Sequence, residues 1–140
     1  MDRDVLQTKL ASLSRCIGRV QEKYPEFAGD LASDYDRQDI IAVNLERGIQ
    51  LAVDIGTHLV AASTQPVPDT MAQVFRLLAQ QSVIEPSLGE ALAKAAGLRN
   101  IAVHEYSQLD WERLHEYLPG VLADLRSFAA QVSSYGLQAE

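Results

Sequence analysis

The chain has 140 residues, 47% of them hydrophobic but only 6% aromatic, and a formal net charge of −7. A length of this order suits one domain that buries about two-thirds of the surface its unfolded chain would expose, so it can fold without staples. The acidic balance, 19 Asp plus Glu against 12 Lys plus Arg, argues against a broad, charge-driven grip on a phosphate backbone, because such binding relies on many basic contacts.

An aromatic-poor core built from Leu, Ala, Ile and Val is one that packs helix against helix. Cys16 is the only cysteine, which excludes an internal disulfide and a thiolate metal cluster within one chain. The first residues, MDRDVLQTKL, carry charges and no apolar run, and no stretch approaches the roughly 20 uninterrupted apolar residues of a membrane span. The expectation is a soluble, unexported protein of the reducing cytoplasm with no membrane partner.

In chain order, Leu6, Leu10, Leu13, Ile17 and Val20 fall at four-three spacing and predict a first helix over residues 3–23. Tyr24-Pro25 ends it, since a residue before proline is pushed out of the α region. The segment PEFAGDLASDYD reads as a connector. A second and longest helix is expected over Arg37–Ala62, with the stripe Ile41, Leu45, Gly48, Ala52, Ile55, Leu59 widened by Ile49, Val53 and Val60. It would run roughly 39 Å at 1.5 Å per residue. Gly48, Ala52 and Gly56 make one side of it small, a loss of helix propensity that close approach of another helix would offset, in this chain or in a second copy.

Beyond TQPVPD, Asp69 or Thr70 can cap a short helix carrying Met71, Val74, Leu77 and Leu78. Pro86-Ser87 starts a fourth helix with Leu88, Leu92 and Ala95 on one face. Asp110 can cap a turn through Trp111 and Leu114, and Pro119 stands where a final helix would begin, its missing N–H harmless there. That helix carries Leu122, Leu125, Phe128, Ala129 and Val132. The expected fold is all-α, an antiparallel bundle of about five helices, with one domain over residues 1–133 and a polar tail over 134–140.

The stretch RNIAVHEY, residues 99–106, concentrates the chemistry. Four residues beyond Ala95 the apolar stripe lands on Arg99, and an arginine there faces a groove or interface and needs an anion, because burying an unpaired guanidinium is costly. His104 follows five residues later, which in an unbroken helix turns it about 140° away. For both to address one ligand, the helix must end between them or they must meet across two copies of the chain. Histidine near neutral pH can take the proton from a ribose 2′-hydroxyl, and arginine can hold the scissile phosphate as charge grows on it. Arginine and histidine near a helix C-terminus also simply complement the macrodipole and cap free carbonyls.

RNIAVHEY resembles the R-x-x-x-x-H-x-Y signature of the HepT-like toxins, small all-helical HEPN domains. The likeness extends beyond the motif. DIIAVNLERGIQLAVDIGTHLV resembles the family's second helix, and VFRLLAQQSVIEPSLGEALAKAAGLRNIAVHEYSQLDWERLHEYL follows its order of a short helix, a helix, the motif and a final helix. The resemblance covers roughly residues 1–130. It implies a metal-independent endoribonuclease toxin with Arg99 and His104 as the ribonuclease pair and Asn100 orienting them, and it implies no cofactor. It further implies a homodimer whose two motifs line one cleft, an RNA substrate, and a minimal, MntA-like nucleotidyltransferase antitoxin that attaches AMP to Tyr106. A phosphodiester anion two residues from His104 would fill the cleft and repel RNA.

Other residues carry weaker signals. His58 reads as a surface or interface residue, Cys16 as a buried small hydrophobe, and Arg37 and Arg76 as solvated or RNA-assisting cations. His115 with Glu112 and Glu116 suggests a metal site, but both glutamates are expected to face solvent. A second function class stays open at this point, a non-catalytic helical module that holds the nucleotidyltransferase and uses Arg99 and His104 as a nucleotide-phosphate pocket.

Overall fold

The computed structural model describes residues 2–61, 70–104 and 109–138, with positions 61, 100–104, 137 and 138 described by their backbone only. Among the described residues there are six helices and no strand: α1 (Arg3–Lys23), α2 (Ala28–Ala32), α3 (Tyr35–Ala61), α4 (Met71–Gln80), α5 (Pro86–His104) and α6 (Trp111–Gln138). The all-α expectation holds with one helix more than expected.

α1 keeps its expected bounds, and Asp2 caps it by accepting from the N–H groups of Asp4 and Val5. Its stripe is buried at Leu6, Leu13, Ile17 and Val20, with Cys16 beside it at 3% exposure. Burial pushes the Cys16 thiol up, only partly offset by Arg15 and Arg47, so it remains a protonated, inert small hydrophobe as expected. α3 runs antiparallel to α1, since the Arg37 guanidinium donates to the Lys23 carbonyl at the end of α1 while Gly48 packs on the middle of it. A Cβ at Gly48 would sit 3.6 Å from Cys16 Cβ and Leu13 Cδ1 and 3.7 Å from Leu125 Cδ1 of α6. At Gly56 it would lie 2.6 Å from Val74 Cγ1 and 2.9 Å from Leu78 Cδ1 of α4. The small side of α3 is therefore used by the chain's own helices.

The connector contains α2, which sequence periodicity did not reveal. Buried Gln38 reaches back from α3 and donates from Nε2 to the carbonyls of Leu31 and Ala32, each at 3.0 Å, closing that short helix. Thr70 caps α4, accepting from the Gln73 N–H, while Asp69, the alternative cap, lies outside the described residues. α4 ends in a Schellman turn: Val83 N–H reaches the Leu78 carbonyl, Ser82 N–H reaches that of Ala79, and Ser82 takes the left-handed φ of 61°.

The expected break before Pro119 does not occur. Asp110 caps as anticipated, accepting from the Arg113 N–H, but the helix that starts there runs through Pro119 and on to Gln138, so residues 134–138 of the expected tail are helical. A proline inside a helix strips the carbonyl four residues earlier of its N–H partner. In α6 that carbonyl belongs to His115, and it accepts instead from Tyr24 Oη at 2.9 Å. The His115 ring stacks on Tyr24 with centroids 4.5 Å apart, and its Nε2 lies 2.8 Å from the Pro25 carbonyl oxygen, the donor geometry that assigns its proton to Nε2. The end of α1 thus anchors the first turns of α6, which also runs antiparallel to α1, with Gln21 bonded to Arg126 and Gly136 against Leu6.

Candidate functional site

α5 carries the first part of the motif, Arg99 to His104, and is held from three sides, by α3, α4 and α6. Its crossing with α4 is close: a Cβ at Gly89 would meet Ala79 Cβ at 2.9 Å and the Phe75 carbonyl oxygen at 3.1 Å. Arg76 of α4 pairs with Glu90 at 3.0 Å on the exposed side, so it acts as a local surface pair. Leu88, Leu92 and Ala95 are buried as the stripe predicts, and Ala93 and Ala96 widen it.

Arg99 continues that stripe. Its side chain is 17% exposed, and a guanidinium so far withdrawn from water needs an anion close by. Glu46 of α3 supplies one, its Oε1 3.8 Å from Arg99 Nη2 and its side chain 40% exposed. The apolar stripe calls for an anion at this place without specifying which one. Glu46 stands at the edge of the α3 stripe next to Leu45, and only the packing of α3 on α5 singles it out from the other acids of that helix.

α5 runs unbroken through His104. The first of the two alternatives for bringing Arg99 and His104 to one ligand, a helix end between them, therefore does not hold. Helix geometry leaves His104 about 140° around α5 from Arg99. Asn100 and His104 lie on the α5 backbone with their side chains outside the described residues, and Tyr106 lies outside them altogether.

The remaining candidates have local roles. His58 is exposed on α3. Arg37 bonds Asp34 and the Lys23 carbonyl. Glu112 and Glu116 face solvent as expected, while His115 is engaged with Tyr24 and Pro25. No group of three or more His, Cys, Asp or Glu side chains able to hold a metal occurs among the described residues. A cleft of about 520 Å³ at α2 and the start of α3 is lined by Asp30, Asp34 and Asp36 with Ser33, Tyr35 and Arg37, an acidic surface that repels phosphate. No helix among the described residues is long and apolar enough to cross a membrane.

The described residues form an all-helical bundle, the architecture of the HEPN toxins. The similarity is direct: over 95% of this chain and 99% of the other, the fold matches the tri-AMPylated Shewanella oneidensis HEPN toxin solved in complex with its MNT antitoxin, with a TM-score of 0.86 and 31% identity. The profile of the family described as Ribonuclease HepT-like matches residues 13–132, and the chain belongs to that family of RNA-cleaving enzymes. Among characterised relatives, the mRNA nuclease HepT of Shewanella oneidensis is 33% identical over 125 residues, covering 89% of this chain and 93% of that one. The tRNA nuclease HepT of Aphanizomenon flos-aquae is 24% identical over 131 residues, 94% of this chain and 89% of that one.

Proposed function

We propose that this protein is the toxin of a toxin–antitoxin pair, a metal-independent endoribonuclease of the cytoplasm in which Arg99 and His104 cut RNA. His104 takes the proton from a ribose 2′-hydroxyl, and the 2′-oxygen attacks the adjacent phosphorus. The P–O5′ bond breaks, the 5′-oxygen leaves as the alcohol with a proton taken from water, and the upstream product keeps a 2′,3′-cyclic phosphate. Arg99 holds the phosphate while its charge grows, and Asn100 helps to orient the pair. The observation that carries this reading is the shielded arginine at the end of an apolar stripe, five residues before a histidine on one continuous helix.

That continuity favours a site shared between two copies of the chain, the arginine of one opposite the histidine of the other. Mixing Arg99→Ala and His104→Ala proteins tests it. A shared site predicts that two inactive variants regain up to about half of the activity per mixed dimer, since one of its two sites is then intact. No recovery from mixtures that have demonstrably exchanged subunits would contradict it.

Tyr106 is the proposed switch. Its phenolic oxygen attacks the α-phosphorus of ATP on a minimal nucleotidyltransferase antitoxin, pyrophosphate leaves, and AMP remains on the toxin. The bulky anion then blocks RNA from the cleft. The Shewanella toxin is described as tri-AMPylated, which supports a modification of this kind. Intact mass after incubation with the antitoxin and ATP is the check: AMP adducts are expected on the parent and none on Tyr106→Phe, and an adduct series unchanged in Tyr106→Phe would place the modification elsewhere.

A further inference from the structure

We propose that Glu46 is a positioning residue for the ribonuclease reaction, acting through Arg99. The inference rests on the reading of Arg99 as the phosphate-holding cation. Glu46 belongs to α3, the 27-residue helix of the bundle, and the residues flanking it on the core side, Leu45 and Ile49, are each 1% exposed. Its Cα is therefore held on a rigid, packed element. From there its carboxylate comes within 3.8 Å of a guanidinium carried by another packed helix, whose neighbouring Ala95 and Ala96 are also buried.

The separation matters. At 3.8 Å the pair is longer than the 2.7–2.9 Å of a charge-assisted hydrogen bond, so Glu46 steers Arg99 and neutralises its charge without clasping it. Because the Glu46 side chain is 40% exposed, its carboxylate can turn to water when a phosphate takes its place beside the arginine. Two opposed effects follow. Glu46 preorganises the guanidinium, which favours the transition state, and its negative charge weakens the attraction of the resting site for an anionic substrate. Removing the charge should therefore separate the kinetic constants, whereas a scaffold residue would change activity only as far as it changes the folded fraction.

The experiment measures cleavage of a mixed-sequence, fluorophore–quencher-labelled oligoribonucleotide by the parent, Glu46→Gln, Glu46→Asp, Arg99→Ala and the Glu46→Gln/Arg99→Ala double variant, with helicity followed by circular dichroism. The expected result for Glu46→Gln is a kcat lower by about tenfold with KM unchanged or lower, since small misplacements of a catalytic group carry losses of this order. Glu46→Asp should recover most of the kcat, and Glu46→Gln should add no further loss on the Arg99→Ala background. The proposal is overturned if Arg99→Ala is inactive while Glu46→Gln keeps parental kcat, or if the activity of Glu46→Gln falls only in proportion to its folded fraction. If Arg99→Ala itself keeps parental activity, the phosphate-holding reading fails and the role of Glu46 goes with it, a result distinct from the other two.

Discussion

The helical course of α6 through Pro119 depends on a tertiary hydrogen bond that a double-mutant cycle can isolate. Tyr24→Phe keeps the ring stacked on His115 but deletes the donor that satisfies the His115 carbonyl at 2.9 Å. Leaving a buried acceptor unsatisfied costs about 1–3 kcal/mol, and because this bond is only part-buried the low end applies, about 1 kcal/mol. In a domain of this size that lowers Tm by about 4 °C. In Pro119→Ala the backbone N–H at position 119 is restored and can bond the His115 carbonyl within the helix. Tyr24→Phe should then cost almost nothing, giving a coupling of about 1 kcal/mol. Urea unfolding followed by circular dichroism, with the slope checked for constancy, measures all four proteins. An equal cost of Tyr24→Phe in both backgrounds would show that the Tyr24 hydroxyl does not stand in for the N–H that Pro119 lacks.

Three further outcomes follow from the packing. Gly89→Ala should destabilise by about 1–3 kcal/mol, because the added methyl meets the Phe75 backbone and Ala79 at the α4–α5 crossing, whereas Gly18→Ala on α1, with nothing within 4 Å, should gain up to about 1 kcal/mol of helix propensity. Thermal unfolding of the two variants separates the signs. Ser82→Gly should raise stability by about 0.5–1 kcal/mol in the same assay, since it relieves a left-handed residue in the Schellman turn. Burial raises the Asp124 carboxyl above its ordinary value, so the folded state holds a proton that the unfolded state has lost, and this group's contribution to stability falls as pH rises through that window. Unfolding curves of Asp124→Asn across pH should show a variant more stable than the parent above the window, with the difference closing below the ordinary aspartate range.

The elements legible in the sequence are those with a long apolar period and a local stop. Leu6 to Val20 followed by Tyr24-Pro25, and Ile41 to Leu59, placed α1 and α3 within two residues of their observed ends. α2 was illegible because five residues cannot display a period, it lacks a side-chain cap, and its end is closed by Gln38 from the next helix. By sequence Pro119 marks a helix start, because a proline's missing N–H is harmless there. Its tolerance in mid-helix depends on Tyr24, whose approach no local pattern encodes. The site divides in the same way. The apolar stripe leading to Arg99 was readable from spacing, and so was the need for an anion, but Glu46 is brought to it by tertiary packing alone.

The roles of Arg99 and His104 are tested by RNA cleavage with the purified parent, Arg99→Ala and His104→Ala proteins in the presence of excess EDTA, with product ends identified by mass spectrometry. The parent should cleave with 2′,3′-cyclic phosphate termini, and each variant should lose at least about a hundredfold, the usual scale for removing a general base or a charge-stabilising donor. Parental activity in either variant, or cleavage that stops when metal is chelated, would contradict those roles.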